Sequence, residues 1–552
     1  MPVADPRGYG EAKGWRPPRR DLERITRFSL YSTMSVILAA LLGFAQLPIA
    51  HAVNSLKIDT TSGVVQGSVN SISPNVAHFL GVPFAEQPLG ERRWLPSIPK
   101  SKDNATIDAT RFGPACPQFE GEGQSVWLTD AIEFLITPRN YTGEDCLTVN
   151  VWAPWKEEAN PGNCTEETYE AEEKLPVIAW IHGGSFQTGA ATVPYQDPSR
   201  WVQRSGRHIV VGIQYRLGIF GQPNAAGLAD DEQNLGLLDQ RLALEWIRDN
   251  IANFGGDPDR ITLWGQSAGA VASDNYNFAY PEDPIVSAFI MHSGTSFLTL
   301  TSVDPEHTNF TSVATSLGCG SLNATAEVDC LRKVPYKEII SFLKARSDNG
   351  TTPALTFNPI VDNRTKFSNY TARALAGNYT LKPAIIGTTV DEGGVFLPYN
   401  RTYGPDPAVA DSITLRSFLC PVVQTTRDRF ASNTTTFRYL YGGNFTNISP
   451  QFWEGAYHQA DMPLVFGTHN IARSNSTALE IAVSEAMQDF WLAFAEDPVT
   501  GLPEAGWEAY EPAGEAVLFG WEGKAVQPIK EADLEAPCDG LVPNGLPKPP
   551  TF

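Results

Sequence analysis

The sequence predicts an α/β fold in which a large, mostly parallel central sheet is covered by helices on both faces. Short apolar runs rich in β-branched residues alternate with helical patterns along the chain, as in folds built from strand-helix-strand units. These runs are almost continuously apolar, which is typical of parallel strands that are buried on both faces. With 552 residues, 42% of them hydrophobic, the chain is long enough to bury the core that such a sheet requires.

The predicted elements follow from these runs in chain order. A helix is predicted over residues 235–251, because apolar residues recur there in helical spacing, and Phe254-Gly-Gly-Asp-Pro258 then supplies a stop signal. This helix joins the second and third strands in a crossover that leads to Trp264. No linker divides the remaining chain, so we predict one domain over residues 53–552. The runs interpreted as buried strands are residues 175–181, 208–215, 260–264, 287–291, 383–386 and 436–441.

The N-terminus has the pattern of a secretory signal. Five arginines between positions 16 and 27 precede an apolar run over residues 34–49, which is followed by Ala50-His51-Ala52. This order of basic, apolar and small residues predicts a signal peptide over residues 1–52, cleaved after Ala52. Two explanations fit the long segment before the apolar run: Met34 is the true start codon, or the basic region is extended. An uncleaved membrane anchor is disfavoured, because Gly43, Gln46 and Pro48 interrupt the run.

Composition agrees with secretion and excludes some partners. The formal net charge is −21, and basic residues cluster only near the N-terminus, so we expect no nucleic-acid partner. Fourteen of the 28 asparagines lie in N-x-S/T, which indicates a glycosylated surface, densest between residues 309 and 475. In an oxidising compartment, seven cysteines allow three disulfides with one thiol left over. Because no cysteine or histidine spacing suggests metal ligands, we expect neither a metal nor a cofactor.

A candidate nucleophile follows the predicted strand that ends at Trp264. Gly265-Gln-Ser-Ala-Gly269 has the pattern G-x-S-x-G, and the small residues after it suit the start of a helix. Glycines on both sides permit the sharp strand-turn-helix connection that exposes the Ser267 hydroxyl. A serine hydroxyl is a weak nucleophile near neutral pH, so it needs a base and a carboxylate that orients the base.

The acid and the base are expected later in the chain, in the order serine, carboxylate, histidine. Asp391-Glu392 follows a predicted strand, which places a carboxylate on a loop at the strand's end. Of the histidines, His458 fits both this order and its context, whereas His182 and His292 precede the acid. The backbone N–H of Ala268 and those of the glycine loop at residues 182–186 are candidate donors to an oxyanion.

Six motifs together resemble the type B carboxylesterase/lipase family, the α/β-hydrolase group that includes cholinesterases and secreted fungal lipases. They occur in the family's order: Gly81–Glu86, Pro88–Gly90, Glu144–Leu147 with Asn150-Val151, Trp180–Gly184, Phe254–Pro258 and the serine motif. The resemblance implies an α/β-hydrolase fold in which Ser267 is acylated, Glu392 is the acid and His458 is the base.

The resemblance also implies further residue roles, and the sequence departs from the family in two places. Oxyanion donors are expected at Gly184, Ser185 and Ala268, although Ser185 replaces the family's usual third glycine. Gln266 replaces the usual glutamate before the nucleophile, which puts a preference for cationic substrates in doubt. The implied disulfides are Cys116–Cys146, Cys319–Cys330 and Cys420–Cys538, with Cys164 unpaired, and the implied structural ion pairs are Arg93–Glu144 and Arg216–Asp239.

These features predict a secreted serine hydrolase, an esterase or a lipase, that cleaves small-molecule or lipid esters through an acyl-enzyme. The alternative is a catalytically inactive relative that serves in binding or adhesion, which typically lacks the nucleophile. Apolar residues between Cys116 and Cys146 fit two interpretations. They form either a mobile lid that touches a lipid interface transiently or a segment that is packed permanently.

Overall fold

A computed structural model describes residues 55–138, 141–156 and 173–541 of the chain. Within these residues an eleven-stranded sheet forms the centre of the molecule, and a smaller three-stranded sheet lies beside it. The strands are β1 (Lys57–Thr60), β2 (Gly63–Gln66), β3 (Ser68–Val69), β4 (Val76–Pro83), β5 (Ile107–Asp108), β6 (Thr148–Pro154), β7 (Leu175–Ile181), β8 (Ile209–Ile213), β9 (Gly256–Gln266), β10 (Ala288–His292), β11 (Ala384–Thr389), β12 (Thr436–Tyr441), β13 (Glu515–Trp521) and β14 (Lys524–Lys530).

The large sheet is mixed, with a parallel centre and antiparallel edges. Its strand order is β14-β13-β12-β11-β10-β9-β7-β8-β6-β4-β3, while β1, β2 and β5 form the small sheet. The strands from β13 to β8 pair in parallel, and the remaining neighbours on both sides pair antiparallel. The parallel centre was predicted from the sequence, whereas the antiparallel edges were not.

Helices cover both faces of this sheet, as predicted. Alternate residues of β7 enter two different cores: Val177 and Ile181 face one, and Ile178 and Trp180 face the other. The described helices are α1 (Ser199–Ser205), α2 (Gly218–Gly221), α3 (Leu235–Asn250), α4 (Ala268–Ala279), α5 (Thr308–Ser316), α6 (Ala324–Leu331), α7 (Tyr336–Asp348), α8 (Tyr370–Leu375), α9 (Pro407–Ile413), α10 (Cys420–Ala431), α11 (Met462–Phe466), α12 (Ala478–Glu496), α13 (Gly501–Glu504) and α14 (Glu531–Glu535).

Two helices show how packing and capping fix these elements. Helix α3 buries Leu244 and Ile247 against the face of the sheet that Val177 lines. This helix is the crossover that the apolar spacing predicted. Helix α12 lies over the other face and begins with a capping box, in which Thr477 and Glu480 each bond the other's backbone N–H. Their opposite positions bury both faces of the parallel strands.

Several sequence predictions fall outside the described residues. These are the signal peptide at residues 1–52 with its alternative start at Met34, Cys164, and most of the acidic stretch between residues 156 and 174. The three disulfides that the resemblance implied are present, joining Cys116 to Cys146, Cys319 to Cys330 and Cys420 to Cys538. Among the helices that the structure describes, none is long and apolar enough to cross a membrane.

Candidate active site

The predicted nucleophile occupies a sharp turn between β9 and α4. Ser267 has φ 56° and ψ −123°, a backbone conformation that a residue with a side chain rarely adopts. Its N–H donates to the carbonyl of His292 on the neighbouring strand β10, at 2.8 Å. The flanking glycines are required: a Cβ on Gly265 would lie 2.2 Å from the carbonyl oxygen of Gly269, and a Cβ on Gly269 would lie 2.1 Å from that of Ile181.

The predicted acid and base meet directly. His458 Nδ1 lies 2.5 Å from Glu392 Oε2, and both side chains are buried. The second carboxylate oxygen of Glu392 accepts from the backbone N–H of Thr389 at 2.8 Å, so both oxygens are engaged. Because an ionised carboxylate only accepts hydrogen bonds, Nδ1 carries the imidazole proton in this arrangement.

Asp391, the neighbouring carboxylate, has a different place. Its backbone N–H donates to the carbonyl of Ala456, and its Oδ2 accepts from the N–H of Ala456, both at 3.0 Å. The backbone of Asp391 also forms an isolated parallel bridge with that of Tyr457, between the loop after β11 and the loop that carries His458. The side chain that contacts the imidazole is therefore that of Glu392, and Asp391 joins the two loops.

The Nε2 atom of His458 has a partner that the sequence did not predict. The side-chain amide of Gln266 lies 3.1 Å from Nε2, and Gln266 is 2% exposed. In the part of the chain that the structure describes, no hydrogen bond joins the hydroxyl of Ser267 to Nε2 of His458. The three side chains nevertheless line one cavity. Sequence reasoning treated Gln266 only as a missing charge, because nothing in its local pattern indicates a contact with a loop 192 residues away.

The glycine loop after β7 has a backbone suited to presenting N–H groups. Gly184, Ser185 and Phe186 have φ values of 101°, 55° and 60°, so three successive residues are left-handed. Ser185, which replaces the third glycine that the resemblance implies, adopts this left-handed conformation at a cost of about 1 to 3 kcal/mol. A Cβ on Gly183 would lie 2.7 Å from Oε1 of Gln266 and 3.0 Å from Cβ of Ser267, so this loop packs directly on the serine turn.

A cavity of about 290 Å³ joins these groups. It is lined by Ser267, His458, Gly184 and Ser185 on one side and by apolar residues of the segment between Cys116 and Cys146 on the other. We call residues 117–145 the tethered segment, of which 139 and 140 are not described. Its side chains that line the cavity include Trp127, Leu128, Leu135 and Ile136. A second cavity of about 490 Å³ lies alongside and shares four lining residues with the first: Phe119, Gly121, Gln187 and Thr188.

Two buried carboxyl groups lie between the tethered segment and the loop that carries His458. They belong to Asp130 and to Glu454, which lies four residues before His458, and they are close enough to interact electrostatically. Burial raises the pKa of Glu454 to about 7, with a further contribution from Asp130, while Arg473 partly opposes the rise. Below about pH 7, protonation of Glu454 therefore removes the repulsion between the two carboxyl groups.

The histidines excluded by chain order have structural surroundings. His182 is fully buried, and burial lowers its pKa to about 4, so its ring is neutral and its Nδ1–H donates to the carbonyl of Gly183. His292 is buried between Asp461, 2.7 Å from Nδ1, and Trp491, whose indole N–H donates to Nε2 at 2.9 Å. Within the three described ranges, no group of three or more histidine, cysteine or carboxylate side chains is arranged to hold a metal ion.

The residues that match known proteins include every residue of this site. The sequence profile of the carboxylesterase family matches residues 54–404 and 405–525. The chlorogenic acid esterase of Aspergillus niger is 40% identical over an alignment 499 residues long, and the match covers 88% of this chain and 94% of that protein. Secreted lipase 5 of Gibberella zeae is 43% identical over an alignment 520 residues long, and the match covers 89% of this chain and 95% of that protein. The acetylcholinesterase of Bungarus fasciatus is 28% identical over an alignment 552 residues long, and the match covers 89% of this chain and 87% of that protein.

Proposed function

The chain belongs to the carboxylesterase family and is a carboxylic ester hydrolase, and from this premise we propose that Ser267 is its nucleophile, His458 its general base and Glu392 the acid that orients the base. The observation that carries the proposal is the 2.5 Å contact between Glu392 and His458, in the cavity that the strained serine turn also lines.

The proposed reaction has two steps. Ser267 Oγ attacks the ester carbonyl while its proton passes to Nε2 of His458, and the resulting imidazolium is stabilised by Glu392. When the carbonyl re-forms, the bond to the alcohol breaks and the proton leaves with that alcohol. A water molecule then gives its proton to Nε2 and attacks the acyl-enzyme, which releases the acid and restores the serine hydroxyl.

The negative oxygen that forms in each step needs fixed donors. We assign this role to the backbone N–H groups of Gly184, Ser185 and Ala268. The left-handed path of the glycine loop and its close packing on the serine turn support the assignment. Each such donor lowers the barrier by about 3 kcal/mol in enzymes of this kind. A side chain at position 185 leaves the backbone N–H available, so the departure from glycine is compatible with this role.

We further propose that the mature protein begins after Ala52 as one domain and acts outside the cell. The apolar N-terminal run, the density of N-x-S/T sites and the three disulfides support this. One relative is named as a secreted lipase and another as an esterase of chlorogenic acid, which supports both lipid and small-molecule esters as substrates. Apolar side chains of the tethered segment in the cavity suit an apolar acyl or alcohol group.

A fluorophosphonate probe tests the assignment of the nucleophile. The secreted protein is incubated with the probe, digested and analysed by mass spectrometry, while hydrolysis of p-nitrophenyl esters of increasing acyl length is measured in parallel. We expect an adduct on Ser267 and loss of both adduct and turnover in Ser267→Ala. Ser287→Ala, at the opposite end of β10 from the site, is the matched control and should retain both. Near-normal turnover by Ser267→Ala would refute the assignment, and a folded wild-type protein without adduct or turnover would indicate a binding protein.

A further inference from the structure

Gln266 places a hydrogen-bond donor on the atom of His458 that must receive a proton. The amide of Gln266 lies 3.1 Å from Nε2, while Glu392 occupies Nδ1 on the opposite side of the ring. Gln266 is held in this position by β9, of which it is the last residue, and by the close approach of the glycine loop at Gly183. The imidazole therefore has one fixed polar partner on each nitrogen.

The two partners together select one state of the ring. A buried carboxylate accepts the Nδ1–H, so in the neutral ring Nε2 carries a lone pair. An amide N–H can donate to that lone pair, but it has nothing to donate to once Nε2 is protonated. The contact with Gln266 therefore stabilises the neutral imidazole relative to the imidazolium, and it favours the tautomer in which Nε2 is the acceptor.

We propose that Gln266 is a positioning residue that keeps His458 neutral, with Nε2 ready to accept a proton, and so extends ester hydrolysis to acidic pH. The inference rests on the proposed role of His458 as general base. When Ser267 transfers its proton, the amide of Gln266 gives up its bond to Nε2, so its stabilising effect applies to the free enzyme and not to the imidazolium.

Other groups around His458 set the background for this effect. The charged group in contact with the ring is Glu392, which favours the imidazolium and opposes Gln266. Glu120 of the tethered segment lines the same cavity. The rings of Phe396 and Phe418 lie 5.0 and 4.9 Å from the imidazole and supply no charge. Replacing the amide of Gln266 by a carboxylate would therefore change the group that faces Nε2 of His458 and leave the other neighbours of the imidazole unchanged.

The test is the pH dependence of kcat/KM for a neutral p-nitrophenyl ester in Gln266→Glu and Gln266→Met. A carboxylate about 3 Å from Nε2 stabilises the imidazolium, so the acid limb of the Glu variant should move upward by 1 to 3 pH units. The Met variant loses only a neutral hydrogen bond, and its limb should move upward by less than one unit. Gln459→Met is the control, because Gln459 lines the same cavity but donates to the carbonyl of Phe134. Its limb should stay in place.

The outcomes separate this inference from the proposed function. Suppose that wild-type protein hydrolyses the ester but the acid limb of Gln266→Glu lies within about 0.3 pH unit of the wild-type limb. This is about the error of such a profile and well below the expected shift. The inference is then wrong and the proposed function stands. If wild-type protein forms no Ser267 adduct, the proposed function itself fails. Should the Glu variant not fold, ¹⁵N spectra of histidine-labelled wild-type protein decide: we expect His458 to carry its proton on Nδ1 at neutral pH, and a proton on Nε2 would overturn the inference.

Discussion

Replacing Glu392 by glutamine tests whether a carboxylate is required behind His458. The carboxylate accepts two hydrogen bonds, one from Nδ1 of His458 at 2.5 Å and one from the N–H of Thr389 at 2.8 Å. A glutamine of the same shape has only one acceptor oxygen, so one of these two donors would face an NH₂ group. The backbone N–H cannot change, whereas the imidazole can move its proton to Nε2. The variant should therefore favour the tautomer that cannot act as a base.

The size of the expected effect follows from this tautomer change. In the serine protease in which an aspartate behind the catalytic histidine was changed to asparagine, kcat fell by about 10⁴. A drop of that size corresponds to about 5.5 kcal/mol of transition-state stabilisation. Because Glu392 is completely buried and solvent cannot replace it, we expect a decrease of 10³ to 10⁵ in kcat with KM changed less than about tenfold.

The assay compares Glu392→Gln with Asp391→Asn. Asp391 accepts from the N–H of Ala456, and an asparagine keeps one acceptor oxygen for that bond, so its kcat should stay within about tenfold of wild type. Thermal unfolding of both variants shows whether loss of activity reflects loss of fold. A Glu392→Gln enzyme that keeps more than about a tenth of the wild-type kcat would refute the reasoning. So would an Asp391→Asn enzyme that loses as much as its neighbour.

Three further predictions follow from packing and charge. Gly183→Ala should lower kcat by about 10² or more, measured with p-nitrophenyl esters, because the new Cβ would lie 3.0 Å from Cβ of Ser267. In wild type, the sensitivity of the tethered segment to protease should rise from pH 6 to pH 8, because ionisation of Glu454 places a second negative charge beside Asp130. In Glu454→Gln this pH dependence should be absent. For Glu531, whose pKa burial raises from 4.5 to about 7, the proton stabilises the fold fully below pH 4.5, and this stabilisation is lost as pH rises through 7. The free energy of unfolding of both proteins is therefore measured in urea at pH 4 and pH 8. Relative to wild type, that of Glu531→Gln should be higher at pH 8 than at pH 4 by up to about 3 kcal/mol.

The central strands were predictable because burial on both faces leaves a continuous apolar signal. Residues 175–181 and 436–441 were predicted with the bounds that the structure gives to β7 and β12. Strand β6 was missed although it is equally buried. It contains Asn150, whose side chain donates to the carbonyl of Ala191 and accepts from the N–H of Gly81. A polar residue satisfied by two distant loops breaks the apolar pattern, and its partners become visible only in the folded chain.

The candidate site shows the same division between local and distant information. The strand-turn-helix around Ser267 is local, and the sequence predicted it. Chain order and the resemblance together directed attention to Glu392 and His458, which the structure brings into contact. The partner of Nε2 was missed, because the glutamine and the imidazole come from elements far apart in the chain. Sequence spacing describes what each loop contains, and the distances between loops come from how the sheet and its helices pack.

His292 illustrates how a residue excluded on chain order is still part of the framework behind the site. Its backbone carbonyl accepts from the N–H of Ser267, and its ring bonds Asp461, three residues after His458 in the chain. The indole N–H of Trp491 donates to Nε2 of this ring, so the proton of the neutral ring lies on Nδ1 and is donated to Asp461. One buried residue thereby connects the strained serine turn to the loop that carries the proposed base. Because Gln266, Ser267 and His292 all lie at the same end of β9 and β10, the register of these two strands sets the position of the nucleophile relative to the imidazole.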